Sequence, residues 1–87
     1  MKMDRIKLLK ALADDTRLKI LDELRQGEKC ACSLPSKIGK AQSTVSGHLK
    51  VLEDTGILES NQKGTYRWYR IKNLKVKKIL EMMDIEK

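Results

Sequence analysis

Eighty-seven residues allow one domain, expected over residues 1–87, with a core that is small for its surface. The chain is 40% hydrophobic and 36% charged and has no apolar run near the length of a membrane span, so it reads as soluble and globular. Its net charge of +7 is uneven: residues 29–78 hold eleven bases against three acids, residues 1–28 seven against six, and residues 79–87 one against three. Positive charge gathered in one segment fits a polyanionic partner, with solubility as the plainer alternative.

The N-terminal MKMDRIKLLKALADD spaces an acid and several bases through its apolar positions. That is an amphipathic helix and not a signal peptide, so the cytoplasm is the expected compartment and no membrane is expected as a partner. The helix is predicted over Met3 to Ala13, with Ile6, Leu9 and Ala13 on one stripe and Leu8 and Leu12 beside it. This stripe is wide for one small core, and a partner subunit would account for its breadth.

Asp14 is placed to cap a second helix, with Asp15 in its first turn complementing the helix dipole. Leu18, Ile20, Leu21 and Leu24 form its apolar face, and Gly27 is the expected stop. Glu28 to Cys32 reads as a short extended connector. Ser33 can cap a short third helix whose first turn tolerates Pro35, with Ile38 its last apolar residue and Gly39 its end.

The next helix begins at Gln42. Val45, His48, Leu49 and Leu52 follow the i, i+3, i+4, i+7 pattern of a buried face. Ser43, Ser46, Gly47 and Lys50 then lie opposite, on a face that is small, polar and basic. Small residues let a backbone approach a groove floor, while hydroxyls and a lysine bond base edges and phosphates. Glu53 and Asp54 come after this face has ended, and Gly56 is placed to stop the helix in the left-handed conformation. A short helix, a glycine turn and this helix make a helix-turn-helix.

Ile57 to Glu59 begins a strand and Tyr66 to Ile71 forms a second, with Asn61 to Thr65 as a basic loop tip between them. A hairpin in this place is a wing, whose Lys63 and Arg67 would reach phosphates. The aromatics Tyr66, Trp68 and Tyr69 are expected to pack against the helices, since stacking on bases is a habit of single-strand binders. A last helix spans Leu74 to Ile85, basic at its start, with Val76, Ile79, Leu80 and Met83 in its stripe and Met82 alongside.

The two cysteines, Cys30 and Cys32, are expected to be thiols in a reducing compartment. They make no Cys-x-x-Cys pair, and with one distant histidine they cannot close a four-ligand zinc site within one chain. No cofactor is called for.

The stretches LLKALADDTRLKILDEL, CAC, QSTVSGHLKVLEDTGIL and KGTYRWYRI, in this order, resemble the ArsR/SmtB arsenic- and metal-sensing repressors over nearly the whole chain. The resemblance implies a mainly α fold with a β-hairpin wing: a winged helix-turn-helix of about five helices, a homodimer through its first and last helices. It implies double-stranded DNA as partner, with Gln42, Ser43, Thr44, Ser46 and His48 at the start or groove side of the reading helix. The periodicity agrees for Ser43 and Ser46 but sets His48 toward the core flank, where it could orient the helix instead of touching DNA. Two departures stand out. Gly47 replaces the His or Arg common in the family, and Ala41 stands where a capping Ser is usual.

Cys30 and Cys32 fall where the arsenic sensors of this family carry inducer thiolates, and soft thiolates suit As(III) and similar ions. The third cysteine of those sensors is here Pro35. The extra N-terminal cysteines of the cadmium sensors are lacking, as are the histidines that zinc and nickel sensors carry on the last helix. Four readings stay open for the pair: a two-thiol site for As(III) or a linear metal, a site completed across the dimer, a redox switch, or small residues with no signalling role. A transcriptional repressor released by a thiol-reactive signal is the expected function. The rivals are a ligand-independent regulator and a protein-interaction winged helix, though the latter would favour large anchoring side chains on the exposed face. An enzyme is not expected, because no acid–base pair, phosphate loop or histidine-activated nucleophile is present.

Overall fold

The computed structural model describes residues 5–83. Five α-helices and a small sheet follow one another: α1 (Arg5–Leu12), α2 (Asp15–Leu24), β1 (Lys29–Cys30), a 3-10 turn (Ala31–Ser33), α3 (Leu34–Ile38), α4 (Gln42–Asp54), β2 (Leu58–Lys63), β3 (Tyr66–Ile71) and α5 (Leu74–Met82). The sheet is antiparallel in the order β1-β3-β2. Met3 at one predicted helix end and Ile85 at the other lie outside the described residues.

The core is aliphatic. Ile20, Leu21 and Leu24 of α2, Leu34 and Ile38 of α3, and Val45, Leu49 and Leu52 of α4 meet Ile57, Leu58 and Tyr69 beneath the sheet, with Val76 and Leu80 closing from α5. Helix ends are built as the residue types dictate. Asp14 Oδ1 accepts from Arg17 N at 3.0 Å, and Asn73 Oδ1 accepts from Lys75 N at 2.9 Å and Val76 N at 3.2 Å. Past α4, Gly56 takes φ 80° while its N–H bonds Glu53 O and the Ile57 N–H bonds Leu52 O, a Schellman stop with Leu52 and Ile57 both buried across it.

Several expectations change. In α1 the buried side is Ala11 and Leu12 with Leu8 beside them, while Ile6 and Leu9 are 63% and 60% exposed and Ala13 is exposed too. One small core covers only one stripe of each helix, so the second stripe of α1 is left over. On α5, Val76 and Leu80 are buried, but Met82 and Met83 remain exposed. The helix α2 ends before Gly27, which takes φ 136° in the turn beyond Arg25. The connector after it holds a strand, β1, paired as Lys29 to Tyr69 and Cys30 to Trp68.

Ser33 sits at the start of α3 but does not cap it, because its hydroxyl donates back to Cys30 O at 2.8 Å. The expected loop tip shrinks: Asn61, Gln62 and Lys63 extend β2, and Lys63 pairs with Tyr66 across a turn of Gly64 and Thr65. Gly64 adopts φ 62°, as the first position of a two-residue hairpin turn can require.

Ala41 precedes α4 in extended backbone, φ −63° and ψ 152°, with no side-chain acceptor for the helix N–H groups. We expect Ala41→Ser to supply one and stabilise the fold by about 1 kcal/mol. Thermal unfolding at fixed protein concentration would then show a Tm raised by roughly 4–8 °C, and an unchanged Tm would show those N–H groups to be satisfied already.

Candidate nucleic-acid interface

The helix α4 is held by one side and bare on the other. Val45, Leu49 and Leu52 are at most 1% exposed. Gln42, Ser43, Thr44, Ser46, Gly47 and Lys50 are all exposed. These six form a surface without an acid; the acids Glu53 and Asp54 come in the last turn of the helix, where the Asp54 carboxylate lies 3.8 Å from Lys50 Nζ, an i,i+4 pair in solvent. Gly47 has no neighbouring atom within 4 Å of where a Cβ would stand. The protein's own packing therefore does not require a glycine there.

His48 is half-buried on the flank between these faces. Its Nδ1 lies 3.2 Å from Nη1 of Arg17 on α2. Helical periodicity leaves His48 between orienting the helix and touching DNA, and it does not single out Arg17. The available signal was an arginine three residues after the cap Asp14, at the edge of an apolar face. The same backbone N–H of Arg17 that Asp14 caps holds the Asp14 carboxyl below its usual range; desolvation opposes this, and the charge of Arg17 reinforces it.

The hairpin β2–β3 presents its cations in two ways. Lys63 extends from the outer face, its Nζ 5.3 Å from the Trp68 ring centroid and 3.1 Å from Glu28 Oε1. Arg67 lies on the inner face, where Nη1 donates to Ser60 Oγ at 2.8 Å and that hydroxyl donates to Glu53 Oε2 at 2.7 Å. This chain of bonds ties the C-terminal turn of α4 to the wing. Of the aromatics, only Tyr69 packs inward as expected. Its burial pushes the phenol above its ordinary range, and the Glu53 carboxylate adds to the effect. Tyr66 is 55% exposed and Trp68 half-buried on the opposite face, because strand alternation gives the core only one side of β3.

Cys30 and Cys32 were expected to be free thiols. Their sulfurs lie against each other, with Cα atoms 5.2 Å apart. The 3-10 turn folds the chain back on itself here, so the Cys32 N–H also donates to Cys30 Sγ at 3.3 Å. Cys30 is buried and Cys32 exposed. Among the described residues, no group of three or more His, Cys, Asp or Glu lies close enough to hold a metal ion. Nor is any described helix long and apolar enough to cross a membrane.

Known proteins are similar to this chain in both architecture and sequence. The chain is 37% identical over 78 residues to an uncharacterized HTH-type transcriptional regulator of Methanocaldococcus jannaschii, covering 88% of each. It is 36% identical over 78 residues to the arsenical resistance operon repressor of Staphylococcus aureus, covering 90% of this chain and 75% of that protein. Its fold superposes with a TM-score of 0.84 on a homodimeric winged helix-turn-helix DNA-binding domain from Mycobacterium bovis, a possible ArsR-family regulator. That domain is 32% identical, and the match covers 92% of this chain and 74% of the other. A sequence profile described as "Bacterial regulatory protein, arsR family" matches residues 14–60. With the bare face of α4, the wing and these likenesses together, the chain belongs to the arsR family of transcriptional regulators and is not an enzyme.

Proposed function

We propose that this chain acts as a homodimeric, sequence-specific repressor released by a thiol-reactive signal at Cys30 and Cys32. The whole chain serves as a single cytoplasmic winged-helix domain. Gln42, Ser43, Thr44, Ser46 and Gly47 meet the major groove, Lys50, Lys63 and Arg67 meet phosphates, and His48 stands at the edge of the contact. The exposed apolar residues of the first and last helices, Ile6, Leu9, Leu74, Met82 and Met83, support dimerisation through that side. A two-fold dimer sets its two reading helices about 34 Å apart, one turn of DNA.

The observation that carries the signal reading is the meeting of the two sulfurs at one point of the fold. Cys30 belongs to β1 and is paired with Trp68 of the wing. The 3-10 turn that contains Cys32 runs directly into α3, the first helix of the helix-turn-helix. A ligand or bond at the sulfurs therefore acts on the wing and on the support of α4 together. The chemistry of two adjacent thiolates suits As(III) or a linear soft cation, and oxidation of the pair is the other thiol-based signal. The arsenical resistance repressor among the relatives supports the first.

Fluorescence anisotropy on DNA from upstream of the protein's own gene tests this. Reduced protein is expected to bind and to be released by arsenite or by a mild oxidant, while a Cys30→Ser, Cys32→Ser variant binds and ignores both. Binding that is indifferent to both agents in the wild type points to a ligand-independent regulator. No salt-sensitive binding at all points to a protein-interaction module.

Phosphate contacts also set the salt dependence. With 6–10 of them, affinity is expected to fall roughly 10³–10⁵-fold between 50 and 200 mM salt, and Lys63→Ala should lower the slope by about one unit. An unchanged slope removes Lys63 from the contact. Gly47→Ala separates folding from reading. It should stabilise the fold by about 1 kcal/mol, since the helix gains and nothing clashes, yet weaken DNA binding where the backbone lies against the groove. Equal or tighter binding by this variant argues against close approach at Gly47.

A further inference from the structure

Arg17 stands half-buried on α2, one turn past the cap Asp14. Its guanidinium is used from three sides. Nε donates to Ala11 O at 2.7 Å and Nη2 to Lys10 O at 3.4 Å, while Nη1 meets His48 Nδ1 at 3.2 Å. Lys10 and Ala11 lie in the last turn of α1, the helix that carries the exposed Ile6 and Leu9. His48 lies on α4, 31 residues further along the chain. One side chain thus joins the end of the outermost helix to the helix proposed to read DNA.

The chemistry of the contact fixes more than position. A guanidinium has five donors and no acceptor, and it stays protonated in proteins. Nη1 can bond Nδ1 only if that nitrogen is bare. A neutral imidazole with a bare Nδ1 carries its proton on Nε2. Phosphate oxygens and the major-groove edge of guanine are acceptors, so a donor at Nε2 is the form that suits DNA.

We infer that Arg17 is a positioning residue for DNA reading, which holds His48 as the Nε2–H tautomer and fastens α4 to the end of α1. This rests on the reading of α4 as the DNA-contacting helix. Arg17 itself reaches DNA only through His48. Asp14 is the acidic group beside the pair, and its carboxylate is engaged by the Arg17 backbone N–H.

Two measurements test it. The first is the ¹⁵N-resolved imidazole spectrum of His48 in the DNA-free protein. Nε2 protonated with Nδ1 accepting is expected, and an Nδ1–H form or a freely exchanging mixture overturns the inference. The second is a double-mutant cycle on operator affinity. Arg17→Ala is expected to lower affinity about tenfold in the native background, the scale of one hydrogen bond to a charged group. In a His48→Ala background the loss should shrink to about threefold or less, the remainder belonging to the α1 carbonyls.

Equal losses in both backgrounds overturn the route through His48. If Arg17→Ala does not fold, Arg17→Lys serves in the same cycle, because one ammonium cannot span the carbonyls and the ring as the guanidinium fork does. Native protein that binds no DNA refutes the reading of α4. Native protein that binds DNA while His48 shows the wrong tautomer refutes the role of Arg17 alone.

Discussion

Val45, Leu49 and Leu52 anchor α4 by one face, and the rest of the molecule is arranged so that this anchoring leaves the other face free. All three are fully enclosed by α2, α3 and the sheet. Emptying any one leucine position in such a core costs about 2–5 kcal/mol, a large share of what a domain of this size can spare. The two ends are fixed as firmly. Gly39, at φ 79°, turns the chain sharply out of α3, and Gly56 with its paired hydrogen bonds ends the helix before the wing. Between these stops the helix offers hydroxyls, an amide, bare backbone at Gly47 and one lysine, with the acids Glu53 and Asp54 held back to its last turn.

The cations around this surface are held in place by partners within the chain. Lys50 faces Asp54, Lys63 faces Glu28, and Arg67 rests on Ser60 beside Glu53. Exposed pairs of this kind contribute roughly 0–1 kcal/mol each. Exchanging such a partner for a phosphate therefore costs little. They keep long side chains from spreading in all directions, which would lower the ordering cost of the proposed phosphate contacts. The Glu53–Ser60–Arg67 chain has a second effect, since it ties the angle of the wing to the end of α4.

The elements most visible in the sequence were those whose signal is local. The face of α4, the Asp14 cap, the left-handed stops at Gly39 and Gly56 and the hairpin all follow from residue type and spacing. What escaped depends on residues far apart in sequence. A strand of two residues has no alternation to read, so β1 is defined only by its partner β3. Alternation separated Trp68 from Tyr69, but which of them faces the core depends on where the helices lie. In α1, the sequence shows an overfull apolar surface but not that Leu8, Ala11 and Leu12 are the set this chain buries. The link from Arg17 to His48 spans two helices and has no periodic trace at all.

The same two-residue strand governs how small a stimulus could act on DNA binding. A ladder as short as β1 offers the wing only a few hydrogen bonds, each contributing about 1 kcal/mol net. The couplings by which an effector changes a distant affinity are commonly 1–3 kcal/mol. A bond or soft ion at Cys30 and Cys32 therefore does not need to unfold the domain. Shifting Cys30 against Trp68, or tilting the turn that leads into α3, draws on a two-residue pairing and leaves the leucine core intact. Cys32 is exposed and Cys30 buried, so a reagent meets the first sulfur in solvent and finds the second directly against it, at the end of β1. That asymmetry sets the direction of the proposed release, from the surface inward to the strand that steadies the wing.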